Sequence, residues 1–262
     1  MSAPLRAVLL DAVGTLLQLR EPVGQTYARL AGAQGMTLPA WRLEDAFERV
    51  LAAAPDMAFP GEPPERVRAL ERAWWRSRVR ETFRATDQTA RFADFDAFFD
   101  ALFAHYAAPA AWRPAPGASR ALARLRAAGL RLAVASNFDH RLASILQGLG
   151  LLDFFEVVFG PAEAGTTKPS AAFFERLLER LGLPSEAVVH VGDDPEQDLA
   201  AARRAGLRVL AMRAPATLAD LPERIQALQD ASRGEGSDPE GRSPRTPRAR
   251  GSGDHEPEGG IR

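Results

Sequence analysis

From residue 113 onward the sequence alternates between short apolar runs and amphipathic segments, and this narrows the fold more than any other feature of the chain. SRALARLRAAG reads as a helix with Gly129 just past its end, and LRLAVA (130–135) as a strand. HRLASILQGLG is the next helix and EVVFG (156–160) the next strand. Ser170 is placed to cap the helix AAFFERLLERLG, and AVVHV (187–191) is a strand. Asp194 before Pro195, with Gln197 at the capping-box position, opens a helix that stops at Gly206. LRVLAM (207–212) is a last strand, followed by a closing helix over 218–229. Strands separated by helices of about 10–12 residues form the parallel sheet of an α/β fold, covered on both faces.

One strand stands far from the others. RAVLL (6–10) ends at Asp11 and breaks into a turn at Gly14-Thr15. Between about Gln18 and Trp112 the pattern is helical and rich in aromatic residues. The early strand still has to join the sheet, so this stretch is expected to be an inserted helical cap. The expected organisation is a core of residues 1–17 and 113–230, a cap of 18–112 and a tail of 231–262. The tail is almost devoid of apolar residues and cannot offset its ordering entropy, so disorder is expected there.

Composition removes several classes of function. The 33 basic and 34 acidic side chains give a net charge of −1, which favours neither nucleic acid nor an anionic membrane. No apolar run approaches the length of a membrane span, and the short one at the N-terminus carries Asp11 and lacks a convincing cleavage site, so a cytoplasmic location is expected. Cysteine is absent, and with it disulfides, thiolate catalysis and thiolate-bound zinc. Arginine is used almost wherever a cation is needed: Lys168 is the only lysine of the chain, and Asn137 the only asparagine. A lone lysine in such a background marks a place where a compact ammonium is required and a planar fork is not equivalent.

In an open parallel sheet, ligands bind beyond the carboxyl ends of the strands. The polar residues expected at that rim are Asp11 and Thr15 after the first strand, and Ser136 and Asn137 after 130–135. Lys168 follows the 156–160 strand, and Asp193, Asp194 and Asp198 follow 187–191. Clustered carboxylates repel unless a cation sits among them, and oxygen-only ligands select a hard ion such as Mg²⁺. A divalent ion beside a lysine and small hydrogen-bond donors suits a phosphoryl group.

Four segments in this order resemble the motifs of the haloacid dehalogenase-like (HAD) hydrolases, which have a Rossmannoid core and an inserted cap. They are LLDAVGTLL, AVASN, Lys168-Pro169 and HVGDDPEQDLAAARRAG, and the resemblance covers nearly all of residues 5–215. SNFDHRL is similar to a branch that includes the animal haloacid dehalogenase-like hydrolase domain-containing proteins. The resemblance implies that Asp11 is a covalent nucleophile and that Ser136 hydrogen-bonds the transferring group. It implies that Lys168 neutralises that group and Asp11, while Thr15 orders the turn and Asn137 supports bound substrate. A magnesium ion would be held by Asp11, the Val13 carbonyl and Asp193, with Asp194 and Asp198 acting directly, through water or from behind. The partner would be a small molecule, a phosphate ester.

One position departs from the pattern. Phosphatases of this family carry a second aspartate two residues after the nucleophile as general acid and base, and here that residue is Val13. Valine cannot move a proton, and general acid–base catalysis contributes about 10²–10⁴-fold. Reduced or specialised phosphatase activity is therefore expected, best where the leaving group needs no proton. Phosphonate-cleaving relatives need a cap lysine, and residues 18–112 contain none. L-2-haloacid dehalogenases also lack the second aspartate and need no metal, but their fourth motif does not begin with the acids seen at Gly192-Asp193-Asp194. A catalytically weak binding protein with this fold is the remaining alternative. Neither a G-x-G-x-x-G dinucleotide fingerprint nor a G-x-x-x-x-G-K-[ST] phosphate loop is present, and the chain is about twice the length of a receiver domain.

His190, His105 and His140 show no metal-ligand spacing, and His190 is expected to pack in the core. Asp139 is expected to cap the following helix, and the aromatics of the insert to form its core.

Overall fold

The structure, a computed structural model, describes residues 3–213 and 216–234. In chain order it begins with strands β1 (Ala7–Leu10) and β2 (Leu17–Leu19). Helices α1 (Val23–Gly32), α2 (Ala40–Ala52), α3 (Pro64–Thr86) and α4 (Phe95–Ala107) follow. Strand β3 (Trp112–Pro114) returns the chain to α5 (Ala118–Ala127), β4 (Arg131–Ala135), α6 (Leu142–Gly148) and β5 (Val157–Phe159). Next come a single turn α7 (Pro161–Ala164), α8 (Ala171–Leu181) and β6 (Val188–Gly192). A π-helical turn (Pro195–Ala200) runs into α9 (Ala201–Arg204), before β7 (Arg208–Ala211) and α10 (Leu221–Gly234).

Five strands form one parallel sheet in the order β5-β4-β1-β6-β7. The most N-terminal strand is thus the central one, and alternation along it explains why all four of its residues are buried. Val8 and Leu10 face one apolar layer, which Leu122 and Leu125 of α5, Ile145 of α6 and Ile225 of α10 complete. Ala7 and Leu9 face the other, against Phe173, Phe174 and Leu177 of α8 and Ala201 of α9. Each fully buried Leu or Phe contributes about 1.5–3 kcal/mol relative to exposure. The two layers together fix β1, and with β1 they fix the residue at its carboxyl end.

Residues 23–107 form a helical unit with its own apolar cluster, which includes Tyr27, Leu43, Val79, Phe83, Phe98 and Phe99. Its aromatic rings pack on one another, as in the parallel stack of Tyr27 on Phe83 at 5.8 Å. Among the described residues, no helix is long and apolar enough to cross a membrane.

The structure corrects the sequence reading in several places. The stretch from Gln18 to Trp112 is not helical at its two ends: β2 and β3 pair antiparallel, with Leu17 opposite Pro114 and Leu19 opposite Trp112. Strands of three residues carry too little alternation to be read beside an aromatic-rich helix. The segment after Asp194 is not a regular α-helix, because the Asp194 carbonyl accepts from both Asp198 N–H and Leu199 N–H, each at 3.2 Å. The closing helix continues to Gly234, into the stretch expected to be disordered. The remainder of that expected tail, 235–262, lies outside the described residues.

Candidate active site

Asp11 leaves β1 with its N–H bonded to the Val191 carbonyl at 2.9 Å, which aligns the ends of the two central strands. The chain then turns sharply at Gly14, whose φ of +98° is open to glycine and little else. Thr15 donates its hydroxyl hydrogen to Asp193 Oδ1 at 2.8 Å, tying this turn to the loop after β6.

Lys168 lies between the two central strands' acids. Its Nζ donates to Asp11 Oδ1 at 2.7 Å, to the Ala135 carbonyl at 2.9 Å and to Asp198 Oδ1 at 2.5 Å, so all three ammonium hydrogens have acceptors. The residue is buried, 4% exposed. Its backbone is held from both sides by one amide, since Asn137 Oδ1 accepts from Lys168 N–H at 2.8 Å and Asn137 Nδ2 donates to the Lys168 carbonyl at 2.9 Å. Nδ2 also donates to Gln197 Oε1 at 3.0 Å. Both ends of the Asn137 side chain are thereby engaged within the protein. Ser136 Oγ accepts from Phe138 N–H at 3.2 Å, an arrangement that leaves its own hydrogen available for donation.

Asp11, Asp193 and Asp198 each present a carboxylate oxygen within 4.8 Å of the others. Three carboxylates against one ammonium leave two negative charges unbalanced when all are ionised, which is the charge a divalent ion supplies. The three side chains offer carboxylate oxygens, the donor type that a hard cation such as Mg²⁺ takes. The residues present therefore fit the ion. Two glycines make room for the carboxylates: a β-carbon on Gly192 would lie 2.5 Å from the Asp198 Cγ, and one on Gly14 would overlap Asp193.

The electrostatics follow from crowding. Burial pushes the Asp11 carboxyl up to about 7 despite the pull of Lys168. Burial also raises Asp193. Asp198 moves the other way, because the hydrogen bond from His190 and the charge of Lys168 outweigh its desolvation and bring it down to about 2. Burial alone would lower Lys168, but Asp11 and Asp198 more than offset this and hold the ammonium above its ordinary value.

Some of these side chains take the positions expected of them, and others do not. Asp194 is the helix cap: its Oδ1 accepts from Glu196 N–H and Gln197 N–H at 2.8 Å, and it stands apart from the acidic trio. The capping box is not closed, since Gln197 turns to Asn137 and Asp194 N–H donates instead to Asp198 Oδ2 at 3.3 Å. Asp198 is buried and paired with both Lys168 and His190. His190 is in the core as expected, packed edge-on against Phe174, yet its Nε2 lies 3.0 Å from Asp198 Oδ1, and burial lowers its pKa. Asp139 serves chiefly as the partner of Arg141, which binds it through Nε at 2.8 Å and Nη2 at 2.5 Å, and it also accepts from Trp75 Nε1 at 2.7 Å. Glu71 of α3, buried, accepts from His140 Nδ1 at 2.5 Å. These two links tie the insert to the loop after β4, and sequence reading missed them because the partners lie 64 and 69 residues apart.

A cavity of about 690 Å³ opens over the rim. Asp11, Val13, Ser136, Asn137, Lys168, Asp193 and Asp198 line its floor, and Trp74, Trp75, Tyr27 and Phe47 belong to its walls. Val13 is 40% exposed, directed away from the core that its neighbours fill.

The family model for haloacid dehalogenase-like hydrolases matches residues 5–206, and the chain belongs to that family. The chain is 34% identical over 209 residues to haloacid dehalogenase-like hydrolase domain-containing protein 3 of Danio rerio, covering 79% of this chain and 85% of that protein. Among solved structures, the L-2-haloacid dehalogenase of Xanthobacter autotrophicus superposes with a TM-score of 0.64 at 19% identity, over 86% of this chain and 99% of that one. A phosphatase of the family from Thermococcus onnurineus gives 0.56 at 23% identity, over 84% and 98%. At these identities the two structures speak to the fold, shared by a dehalogenase and a phosphatase alike. The chain is accordingly a hydrolase-family protein of α/β architecture.

Proposed function

We propose that the protein is a magnesium-dependent phosphohydrolase that forms an aspartyl-phosphate on Asp11, restricted to substrates whose leaving group departs without a proton. The observation that carries this reading is the acidic trio, with Asp193 and Asp198 within 4.8 Å of the nucleophile. Displacement of a halide by a carboxylate needs no divalent ion, whereas phosphoryl transfer to a carboxylate is favoured by one, and the three clustered acids suit such an ion.

Asp11 attacks phosphorus with its free carboxylate oxygen. A P–O bond forms, the P–O bond to the leaving group breaks, and the leaving group departs as an anion. Lys168 holds the nucleophile in line and neutralises charge on the transferring group, and Ser136 donates its hydroxyl hydrogen to a phosphoryl oxygen. Asn137 acts through Lys168, as a positioning residue that fixes the lysine backbone. Water then attacks phosphorus and the bond to Asp11 breaks; inorganic phosphate takes up the water proton as the carboxylate is regenerated. A magnesium ion on Asp11, Asp193, the Val13 carbonyl and Asp198, with Asp194 behind, would supply charge neutralisation for the phosphoryl oxygens.

The dehalogenase alternative draws on Val13 alone. The deciding experiment compares acetyl phosphate, 4-nitrophenyl phosphate and L-2-chloropropionate with magnesium and with chelator, using D11N as the blank. Magnesium-dependent phosphate release absent from D11N supports the reading. Chloride release indifferent to chelator overturns it.

A further inference from the structure

The rim chemistry leaves open what the leaving group is, and the cavity above it answers in chemical terms. We infer that the protein takes phosphate compounds whose leaving group is aromatic and carries no second negative charge. This deepens the phosphatase reading and rests on it.

Three observations converge. The first is the wall. Around the acidic floor, the insert contributes the rings of Tyr27, Phe47, Trp74 and Trp75, and the loop after β4 adds Phe138. An aromatic leaving group fits such a wall by burying apolar area and by offset or edge-on ring contacts. A hydroxyl-rich leaving group would surrender its water there with few partners in return.

The second is the fate of the wall's cation. Arg141 lines the cavity, but its guanidinium is engaged by Asp139 at 2.5 Å and 2.8 Å and lies over the Phe103 ring at 3.8 Å from the centroid. The pair is buried, with the Arg141 and Asp139 side chains 7% and 0% exposed. A guanidinium already matched by a buried carboxylate is not available to a carboxylate or second phosphate on a substrate. Asp56, the other charged wall residue, repels one. The same Asp139 accepts from Trp75 Nε1, so the ring is held in place before anything binds. Preorganisation of this kind lowers the ordering entropy of recognition.

The third is Val13. An acidic phenolate such as 4-nitrophenolate, or an aromatic carboxylate, leaves without protonation near neutral pH, whereas an alkoxide does not. The residue that lacks a proton to give and the wall that accepts rings thus favour one class, aryl and aroyl phosphates.

The test separates ring recognition from leaving-group acidity. Benzoyl phosphate and acetyl phosphate both release a carboxylate that needs no proton, and they differ in the ring. We expect kcat/KM for benzoyl phosphate to exceed that for acetyl phosphate by at least about tenfold, from the apolar area buried. Terephthaloyl monophosphate, which keeps the ring and the acyl leaving group and adds a carboxylate, should be turned over more slowly than benzoyl phosphate. Binding gives a second readout independent of turnover, since Trp74, Trp75 and Trp112 line the cavity. In both the unaltered protein and D11N, with magnesium, phenylphosphonate should perturb tryptophan fluorescence and bind at least about tenfold more tightly than methylphosphonate. Equal affinities for the two phosphonates overturn the inference, even if both acyl phosphates are hydrolysed. Failure to hydrolyse either acyl phosphate overturns the phosphatase reading beneath it.

Discussion

The carboxylate of Asp193 lies directly over Gly14, in the space that any side chain at that position would take. Residue 14 also sits at φ +98°, so a substituent is opposed both by the backbone and by the carboxylate. Gly14→Ala is expected to destabilise the fold by about 1–3 kcal/mol. By pushing Asp193 away from Asp11, it should also weaken magnesium binding by about 10–100-fold. Calorimetric titration of the ion, beside urea unfolding, separates the two effects. Unchanged ion affinity in a folded Gly14→Ala protein would show that Asp193 does not hold metal.

Lys168 cannot be exchanged for the cation this chain uses everywhere else. Its ammonium meets three acceptors in a buried space, and Asn137 clamps its backbone. Lys168→Met leaves two carboxylates buried without their counter-charge, a change that costs about 3–5 kcal/mol. Lys168→Arg keeps the charge but brings a planar fork into a tetrahedral site, and phosphate release is expected to fall to the D11N level. Wild-type turnover in Lys168→Arg would refute this account of the lone lysine.

The Asp11 carboxyl is pushed up to about 7 from an ordinary 3.8, so folding disfavours its ionised form. A carboxyl shifted upward stabilises the folded state below its unfolded pKa and withdraws that stability as pH rises through the folded value. D11N keeps the shape and drops the charge. In chelator, its Tm relative to wild type should therefore increase as pH is raised from about 4 to about 8. A Tm difference that is constant across this range would mean that the Asp11 carboxylate is not held under strain.

Val13 is 40% exposed and lines the cavity, so a carboxyl can be accommodated there. Val13→Asp is expected to raise turnover of a simple alkyl phosphate by about 10²-fold or more. Turnover of benzoyl phosphate should change little, because its leaving group needs no proton. A parallel rise for both substrates would point to an effect on metal or nucleophile instead.

Trp75 Nε1 donates to Asp139 at 2.7 Å across the boundary between α3 and the loop after β4. Trp75→Phe keeps most of the ring and removes the donor. KM for aryl phosphates is expected to rise several-fold with kcat nearly unchanged, alongside a stability loss of about 1 kcal/mol. A fall in kcat with KM unchanged would assign Trp75 to the chemistry and not to the wall.

The sheet was readable in the sequence because each of its strands is an apolar run between helices of clear period, and burial on both faces of β1 demands such a run. The rim was readable for a different reason. Lys168 and Asn137 are singular in an arginine-rich chain, and the structure joins them through two hydrogen bonds. Less was legible where geometry depends on one turn. Asp194 and Asp198 look alike in sequence, yet the π-helical turn leaves one as a cap and buries the other against Lys168. The links from Trp75 to Asp139 and from Glu71 to His140 leave no periodic trace, since nothing local prepares either residue for its distant partner. The β2–β3 pair was hidden by its brevity.

That small pair has a larger consequence. Both ends of the helical insert pass through one ribbon, Leu17 to Leu19 lying against Trp112 to Pro114, beside the turn that follows Asp11. To the sheet, everything between is a single excursion that departs and returns at adjacent points. Its length and contents can drift over generations without a strand losing its neighbour. The residues of the sheet rim and those of the helical insert can thus vary on separate terms.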